Sequence, residues 1–250
     1  MAELEIPLAG GNATAEVVRV GDTVRKPVTP SSAAVTDFMS AMLAAGIDIP
    51  RPLGTDESGR LMLEFVPGAM AEDHEPDLDQ LEAIGGLIRR IHDAALTYVP
   101  EPGAVWEAVI PPPGEPELIC HNDLTPWNLV LGERMVFIDW DGAGPSTRAW
   151  DLAYSAQAFA GLHADADEAI GARRLSAIID GYDPDDGLRR ELPALLAVRA
   201  QAMHDMLADA YRHDRMPWAR VYEEGHGAFW AAAAEWIRQR EDIWRDALCR

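Results

Sequence analysis

The pattern of hydrophobic and polar positions is most distinctive between residues 118 and 144, where short apolar runs alternate with polar clusters. Two of the runs, Leu129–Leu131 and Met135–Ile138, flank a glycine-containing turn. Such a pattern is typical of a β-hairpin. If the turn is centred on the two residues after Gly132, antiparallel pairing sets Asn128 opposite Asp139, with about 4.5–5.5 Å between them. The hairpin is therefore predicted to place an amide oxygen beside a carboxylate, as one divalent cation would need.

Four polar residues around this hairpin follow the spacing H-x-D-L-x-x-x-N, with an aspartate at the end of the returning strand; they are His121, Asp123, Asn128 and Asp139. This is the catalytic half of the protein-kinase signature. In that chemistry Asp123 accepts the proton of the substrate hydroxyl, while Asn128 and Asp139 hold Mg²⁺ on the phosphates. His121 is predicted to be structural and to fix the loop. An ordinary polar hairpin with a buried histidine is the alternative, and four residue types at four matching spacings favour the catalytic interpretation.

The first part of the chain alternates short apolar runs with turns, which predicts strands joined by hairpins. Strands are expected over residues 15–20, 23–26 and 61–66, and Gly10-Gly11 is expected in a flexible turn before them. One helix, over residues 33–45, is predicted to begin at Ser31 or Ser32 and to end at Gly46.

Helical periodicity dominates the rest of the chain, beginning with residues 77–97, where apolar side chains recur every three or four positions. His92, near the end of that helix, is predicted to be a core or capping residue. The proline-rich stretch 99–117 is predicted to be a loop at the substrate cleft, with Trp106 as a lid contact or an apolar anchor. The helix after the hairpin carries Asp151 near its N-terminus. Three further helices are predicted over residues 168–179, 188–216 and 219–247.

The composition is ordinary for a globular protein, with 48% hydrophobic and 25% charged residues, except for a net charge of −21. This charge argues against nucleic acid or an anionic membrane as a partner and suits a cationic ligand. The two cysteines, Cys120 and Cys249, imply no disulfide framework. The sequence shows no signal peptide and no apolar run long enough to span a bilayer, so the cytoplasm is the expected compartment.

Lysine is nearly absent, since the basic residues comprise 20 arginines and Lys26 alone. A chain that uses arginine for general positive charge is expected to keep a lysine where guanidinium substitutes poorly, as at a phosphate contact. The two-residue period of a strand places Val24 on the same face as Lys26, so these two are predicted to bind the base and the phosphates of a nucleotide. A kinase would also place a glutamate on the following helix to orient this lysine. That helix has none, and Asp37 is its nearest carboxylate.

The strand predicted over residues 61–66 stops at Pro67-Gly68, just before the long helical region. Two lobes are expected to meet at such a point, and adenine would then bind backbone groups near Glu64 and Val66. An ordinary edge strand is the alternative for this segment.

On these residues the chain resembles the aminoglycoside phosphotransferase family, small-molecule kinases with a protein-kinase-like fold, over nearly its whole length. The specific motifs are His121-Asn122-Asp123-Leu124 to Asn128 and Ile138-Asp139-Trp140-Asp141. Less specific support comes from Thr23–Lys26, Glu64–Gly68 and Trp150–Ala153.

The resemblance implies an α+β fold of two lobes. Residues 1–67 would form a nucleotide-binding lobe with an antiparallel sheet and one helix, and residues 68–250 a mainly helical catalytic lobe. It implies ATP, or alternatively GTP, with Mg²⁺, the roles given above for the motif residues, and Asp151 as a structural anchor. Antibiotic resistance is a role associated with this resemblance, and either a monomer or a homodimer is expected.

Protein kinase activity is disfavoured by the spacing after the motif. Asp151 follows Asp139 by twelve residues and no A-P-E sequence lies between them, which leaves no room for an activation loop and a peptide platform. A small-molecule alcohol is therefore the predicted acceptor. Four carboxylates on the C-terminal helices are predicted to line its pocket and to attract a cationic, aminoglycoside-like molecule: Asp205, Asp209, Glu223 and Glu224. Alternatively, they solvate the surface and the acceptor is a neutral metabolite alcohol.

Two other function classes stay open at this point. A nucleotide-binding pseudokinase or regulatory module would explain the missing helix glutamate. A hydrolase would use the Asp139 and Asp141 carboxylates, or a metal held by His121 and Asp123, and would need neither Lys26 nor ATP.

Overall fold

The protein, whose structure is a computed structural model, is described over residues 4–8 and 17–249. Its N-terminal part is a five-stranded antiparallel sheet in the order β1-β2-β3-β5-β4, with one helix, α1, between β3 and β4. The bounds of these elements are β1 Glu5–Pro7, β2 Val18–Val20, β3 Thr23–Lys26, α1 Ser32–Ala44, β4 Pro52–Thr55 and β5 Leu61–Glu64. The expected Gly10-Gly11 turn and the start of the strand predicted over residues 15–20 lie outside the described residues.

Helix α1 begins one residue earlier than predicted, and neither candidate serine caps it through its side chain. Ser31 occupies the N-cap position without a side-chain cap bond, and the Ser32 hydroxyl instead accepts a hydrogen bond from the Thr29 N–H at 2.8 Å. The helix ends as predicted, because Gly46 adopts a φ of 84° that favours glycine. Phe38, fully buried, directs its ring toward Trp140 in the second half of the chain, at 5.8 Å between centroids.

The remainder is mainly helical, with two small antiparallel sheets, β6-β8-β9 and β10-β7, at its contact with the first part. Its elements are β6 Ala69–Met70, α2 Leu78–Ala95, β7 Leu118–Cys120, β8 Leu129–Leu131, β9 Met135–Phe137, β10 Gly144–Ser146, α3 Arg148–Ala160, α4 Glu168–Tyr182, α5 Asp186–Arg212, α6 Trp218–Val221, α7 Gly227–Arg238 and α8 Glu241–Leu248. Within the described ranges, no helix combines the length and the apolar character needed to cross a bilayer.

Helices α2 and α4 cross so closely that two glycines are required at the contact. A Cβ on Gly85 would lie 2.0 Å from the Ile178 carbonyl oxygen, and one on Gly181 would lie 1.9 Å from the Glu82 carbonyl oxygen. This crossing fixes α2 in the core, so that His92 on it is fully buried, as predicted for a core residue.

Two sequence-based predictions of local structure were wrong. The β8–β9 hairpin pairs Leu129 with Phe137 and Leu131 with Met135, one residue out of the predicted register, because its loop has three residues rather than two. The single helix predicted over residues 219–247 is broken, because Gly225 adopts a φ of 106° between α6 and α7, and a second break at Arg240 separates α7 from α8.

Candidate active site

The Asp123 carboxylate lies on the loop after β7 and is held there by side chains of the same loop. The Asn128 side-chain amide donates to Asp123 Oδ2 at 2.8 Å, and the Thr125 hydroxyl donates to Oδ1 at 3.2 Å. Burial raises the pKa of Asp123 above its usual value, the charge of Asp139 adds to that shift, and the hydrogen bonds from Thr125 and Asn128 oppose it. The carboxylate is thus fixed in orientation and is more basic than an exposed aspartate, both of which suit a general base.

His121 connects this loop to the end of β9. It is fully buried, and its Nε2 lies 3.0 Å from the carbonyl oxygen of Ile138. Because a carbonyl can only accept, Nε2 carries the proton, and Nδ1 accepts from the Asp123 N–H at 3.2 Å. One neutral imidazole therefore ties Asp123 to the residue that precedes Asp139.

Asn128 and Asp139 lie at the same end of the β8–β9 hairpin in spite of the shifted register. The N–H of Ile138 donates to the carbonyl of Asn128 at 2.8 Å, which extends the hairpin by one bond. Asp139 then takes a left-handed conformation with φ 57°, a strained state for a residue other than glycine that is concentrated at functional sites. This turn leaves the Asp139 side chain half exposed.

Lys26, at the end of β3, reaches across from the sheet to the same carboxylates. Its Nζ lies 2.5 Å from Asp141 Oδ1 and 3.6 Å from Asp139 Oδ1, and its side chain is only 6% exposed. Asp37 on α1 does not take part, because its carboxylate accepts a hydrogen bond from the Tyr98 hydroxyl at 2.7 Å. Asp141 therefore holds the lysine that a helix glutamate would otherwise orient.

The donor set at this point fits a hard divalent cation. Asn128 supplies an amide, and Asp139 and Asp141 supply carboxylates, which are the oxygen ligands that Mg²⁺ prefers. Lys26 contributes the positive charge that phosphate oxygens would need beside such a cation.

The predicted hinge lies where β5 leaves the sheet. Val66 is buried in a small apolar cluster of its own with Val130 and Val136, against which Ile138 packs. The N–H of Glu64 donates to the carbonyl of Arg51, just before β4, and is therefore already engaged.

The side chains of two predicted nucleotide residues have other contacts. The Glu64 carboxylate accepts from Arg134 Nη1 at 2.7 Å and from Arg51 Nε at 3.2 Å. The first of these bonds joins β5 to the β8–β9 turn. Val24 pairs with Leu63 in the sheet and packs against the main core.

Asp151 near the start of α3 bonds to helix α2 rather than to the catalytic loop. Its Oδ2 lies 3.0 Å from His92 Nε2, and His92 Nδ1 lies 2.9 Å from the Tyr182 hydroxyl. Cys120 lies close enough to His92 and Asp151 to complete a three-ligand metal geometry. Burial raises the pKa of the Cys120 thiol well above its usual value. The hydrogen bonds of His92 to Asp151 and Tyr182 form a buried chain that anchors α3 to α2 and α4.

The four carboxylates predicted to bind the acceptor differ in their surroundings. Asp209 forms ion pairs with Arg212, His213 and Arg215. Glu224 faces Arg220 at 3.6 Å. Over the described ranges, Asp205 and Glu223 have no basic partner; Asp205 accepts from Gln201 at 2.9 Å and lines a groove of about 320 Å³ beside Pro111 and Trp150.

The loop over residues 99–117 lines this groove with Pro111 and Pro113. Trp106 packs edge-on against Phe38 of α1, at 6.4 Å between centroids, so the contact it makes is that of an apolar anchor. The main chain of the same loop is also held in place, because the Trp150 indole N–H donates to the Ile110 carbonyl at 3.1 Å.

Sequence reasoning missed one polar residue near Asp123. Arg199 on α5 is 3% exposed, and its Cζ lies 4.0 Å from the ring centroid of Tyr154. It is one of 20 arginines on a strongly polar helix, so only its burial distinguishes it.

Residues 103–193 match the family model described as "Phosphotransferase enzyme family", APH, which covers the catalytic loop, the hairpin and α3. Over these residues the match bears out the predicted resemblance, and it supports a phosphotransferase. No curated protein sequence matches the chain significantly.

Several solved structures share the fold. A microcompartment-associated aminopropanol kinase superposes with a TM-score of 0.67 at 13% identity, over 98% of this chain and 94% of its own. A choline/ethanolamine kinase family protein from Mesorhizobium loti gives 0.63 at 18% identity, over 97% and 92%. The amicoumacin kinase hAmiN, in complex with AMP-PNP, Ca²⁺ and Ami, gives 0.64 at 14% identity, over 92% and 86%. At these identities the similarity shows the fold alone, and it confirms the predicted two-lobe, kinase-like α+β architecture.

Proposed function

We propose that the protein transfers the γ-phosphoryl group of ATP to a hydroxyl group of a small molecule. The observation that carries this proposal is the convergence, from two parts of the chain, of Lys26 with Asp139 and Asp141, next to the loop that orients Asp123. Phosphoryl transfer needs little covalent chemistry beyond positioning, charge neutralisation and a base. Each of these has a residue here.

In the proposed reaction, the oxygen of the acceptor hydroxyl forms a bond to the γ-phosphorus while the bond between that phosphorus and the leaving ADP oxygen breaks. Asp123 accepts the proton of the acceptor hydroxyl in the same step. Lys26 leaves Asp141 and contacts the phosphates of the bound nucleotide. Asn128, Asp139 and Asp141 would hold Mg²⁺, which supplies charge neutralisation on the phosphate oxygens. His121 keeps Asp123 and Asp139 in register through its two ring nitrogens. GTP is the alternative donor.

The nucleotide base is proposed to lie against Val66 and Ile138, below Val24, with hydrogen bonds to the backbone of Glu64 and Val66. The apolar cluster that contains Val66 and Ile138 supports this position, because it lies between the hinge and Asp139. Asp151 is proposed as a structural anchor through His92.

For the acceptor, a small alcohol is favoured over a protein by the short connection between Asp139 and Asp151. A cationic acceptor stays a prediction that rests on Asp205 and Glu223, since Asp209 and Glu224 are engaged by basic side chains. A steep fall of kcat/KM with added salt, blunted in Asp205→Asn, would support it; a flat profile would favour a neutral alcohol.

The proposal is tested by a thermal-shift measurement with Mg-ATP and Mg-GTP, followed by a panel of alcohols with product detection by mass spectrometry. A ligand that binds only the folded state raises its stability by RT ln(1 + [L]/Kd), so Mg-ATP should raise Tm and a phosphorylated alcohol should appear. Nucleotide stabilisation without any product would favour a pseudokinase. Hydrolysis without nucleotide dependence would favour the hydrolase alternative.

A further inference from the structure

Arg199 is a buried cation whose polar atoms are not satisfied by the protein. Its Nε and Nη1 atoms are shielded from solvent and have no hydrogen-bond partner within the described part of the chain. Other arginines differ: Arg134 also has shielded atoms without a hydrogen bond, but its Nη1 donates to Glu64, and the part-buried Arg174 donates to the carbonyls of Phe159 and Pro76. Arg199 is therefore an exception that needs a cause.

Aromatic contacts offset only part of the cost of burying this charge. The Arg199 Cζ lies 4.0 Å from the Tyr154 ring centroid and 5.4 Å from that of Trp150. A desolvated cation–π contact stabilises the cation, but the cost of burying an unpaired ion exceeds what such contacts offset. Burial accordingly lowers the pKa of Arg199, and the nearby acidic groups of Tyr154, Asp151 and Asp123 oppose that shift.

The position of Arg199 connects it to the catalytic loop. Tyr154, on which it stacks, has its ring 6.2 Å from that of Trp127, the residue before Asn128. The charge of Asp123 acts on both Tyr154 and Arg199. Within the described ranges the Tyr154 hydroxyl has no hydrogen-bond partner either. Unused donors on two buried side chains thus lie on the acceptor side of the base.

We propose that Arg199 and Tyr154 form the binding site for a carboxylate carried by the acceptor alcohol. Planar guanidinium N–H groups match the two oxygens of a carboxylate, and a tyrosine hydroxyl adds a third donor. Because Arg199 is only 3% exposed, the carboxylate is the end of the acceptor that enters deepest. This site deepens the proposed kinase function and rests on it. It is compatible with an amine elsewhere on the same molecule, as in a hydroxy amino acid.

The test compares matched alcohols with and without the carboxylate on the full-length protein. The probes are 4-hydroxybutyrate against 1,4-butanediol and L-homoserine against 3-aminopropan-1-ol, each added with Mg-AMP-PNP, and binding is measured by thermal shift and calorimetry. A charge-assisted hydrogen-bond site predicts roughly 10–100-fold tighter binding of the carboxylate member in both pairs. Equal binding within the pairs, or no binding of either carboxylate, overturns the proposal.

The variant Arg199→Met separates ligand binding from a structural role. Removing an unpaired buried charge in favour of an apolar side chain should leave Tm unchanged or raised, while the preference for the carboxylate is lost. A lowered Tm with an intact preference means that Arg199 is structural, and the proposal fails. The control Arg174→Met should lower Tm and leave the preference for the carboxylate intact, because it removes hydrogen bonds to the carbonyls of Phe159 and Pro76.

Failure of the kinase function itself has a different signature. In that case Mg-AMP-PNP gives no stabilisation and no alcohol of either type is phosphorylated with Mg-ATP. Carboxylate binding that depends on Arg199 is measured without turnover, so it is decided independently of that outcome.

Discussion

The two sides of the cleft treat buried charge in opposite ways. On the nucleotide side, Lys26 is paired with Asp141 at 2.5 Å, and Glu64 is paired with Arg134 at 2.7 Å. The Glu64 pair joins the N-terminal sheet to the turn of the β8–β9 hairpin, and the Lys26 pair joins it to the turn that follows β9. On the proposed acceptor side, Arg199 is as buried as Lys26 and stacks on aromatic rings, and its Nε and Nη1 atoms have no hydrogen-bond partner within the described residues.

The two cations therefore differ in what a ligand has to displace: Lys26 already has a carboxylate partner, whereas Arg199 has unused hydrogen-bond donors. In the proposed function, a nucleotide competes with Asp141 for Lys26, so part of its binding energy replaces an existing ion pair. A carboxylate that reaches Arg199 displaces no protein partner, so the full hydrogen-bond energy is available for discrimination. We therefore expect mutations on the nucleotide side to affect turnover strongly, and those on the acceptor side to affect substrate choice.

The largest expected effect comes from Asp123, which belongs to both sides. Asp123→Asn should lower kcat by roughly 10²–10⁴-fold, the contribution of a positioned general base, and leave Mg-ATP binding intact. Asp139→Asn should weaken both, because it removes a carboxylate at the proposed metal position. Kinetics and Mg-ATP thermal shifts on the two variants provide the measurement. Loss of nucleotide binding in both variants alike would contradict the division of roles.

The next effect concerns Lys26 and isolates its chemistry from its charge. Lys26→Met should lower kcat by roughly 10²–10³-fold, the range for removing one group that stabilises developing charge. Lys26→Arg keeps the charge, and it should still lose most turnover, because a planar guanidinium fits a pocket built for an ammonium poorly. Normal turnover in the arginine variant would mean that the single lysine in the chain has no special role.

A smaller effect is expected at Asp141. Asp141→Asn leaves Lys26 with Asp139 alone, 3.6 Å away, so the lysine loses its close partner while the motif stays in place. We expect a partial loss of kcat, smaller than in Lys26→Met, and a measurable weakening of Mg-ATP binding in calorimetry. The control is Asp37→Ser, because Asp37 contacts Tyr98 and not Lys26. This variant should leave both kcat and Mg-ATP binding unchanged.

The sequence was sufficient for those features that local patterns determine. The motif spacing located Asp123, Asn128 and Asp139, and the helical period located α2 to within two residues at each end. The hairpin register was missed because alternation fits a two-residue and a three-residue loop equally well. The break at Gly225 was missed because the apolar pattern continues past it on both sides.

Contacts between distant parts of the chain could not be predicted in this way. Lys26 and Asp141 are separated by 115 positions, and no local pattern relates them. The sequence therefore showed that the helix glutamate is missing, but it did not show that Asp141 takes its place beside Lys26. Arg199 resembles every other arginine of the chain until its burial is known. These two missed long-range features are the ones that distinguish the proposed nucleotide side from the proposed acceptor side.

The smallest effect tests whether paired charges hold the nucleotide side together. Burial alone would raise the pKa of Glu64, but hydrogen bonds from Arg134 and Arg51 prevail and lower it below its usual 4.5. A carboxylate with a lowered folded-state pKa stabilises the fold above its unfolded pKa, and this contribution is lost as the pH falls through the folded value. Glu64→Gln should therefore cost about 1 kcal/mol at neutral pH, or about 2–4 °C in Tm for a chain of this size, and the difference from wild type should shrink as the pH falls below 4.5 and disappear once the pH has passed the lowered folded-state pKa. Glu57→Gln, at an exposed position of the β4–β5 turn, is the control and should show no such difference at either pH. If the deficit of Glu64→Gln persisted unchanged in acid, the ion pair with Arg134 would not be its source, and the contrast between the two sides would rest on Lys26 alone.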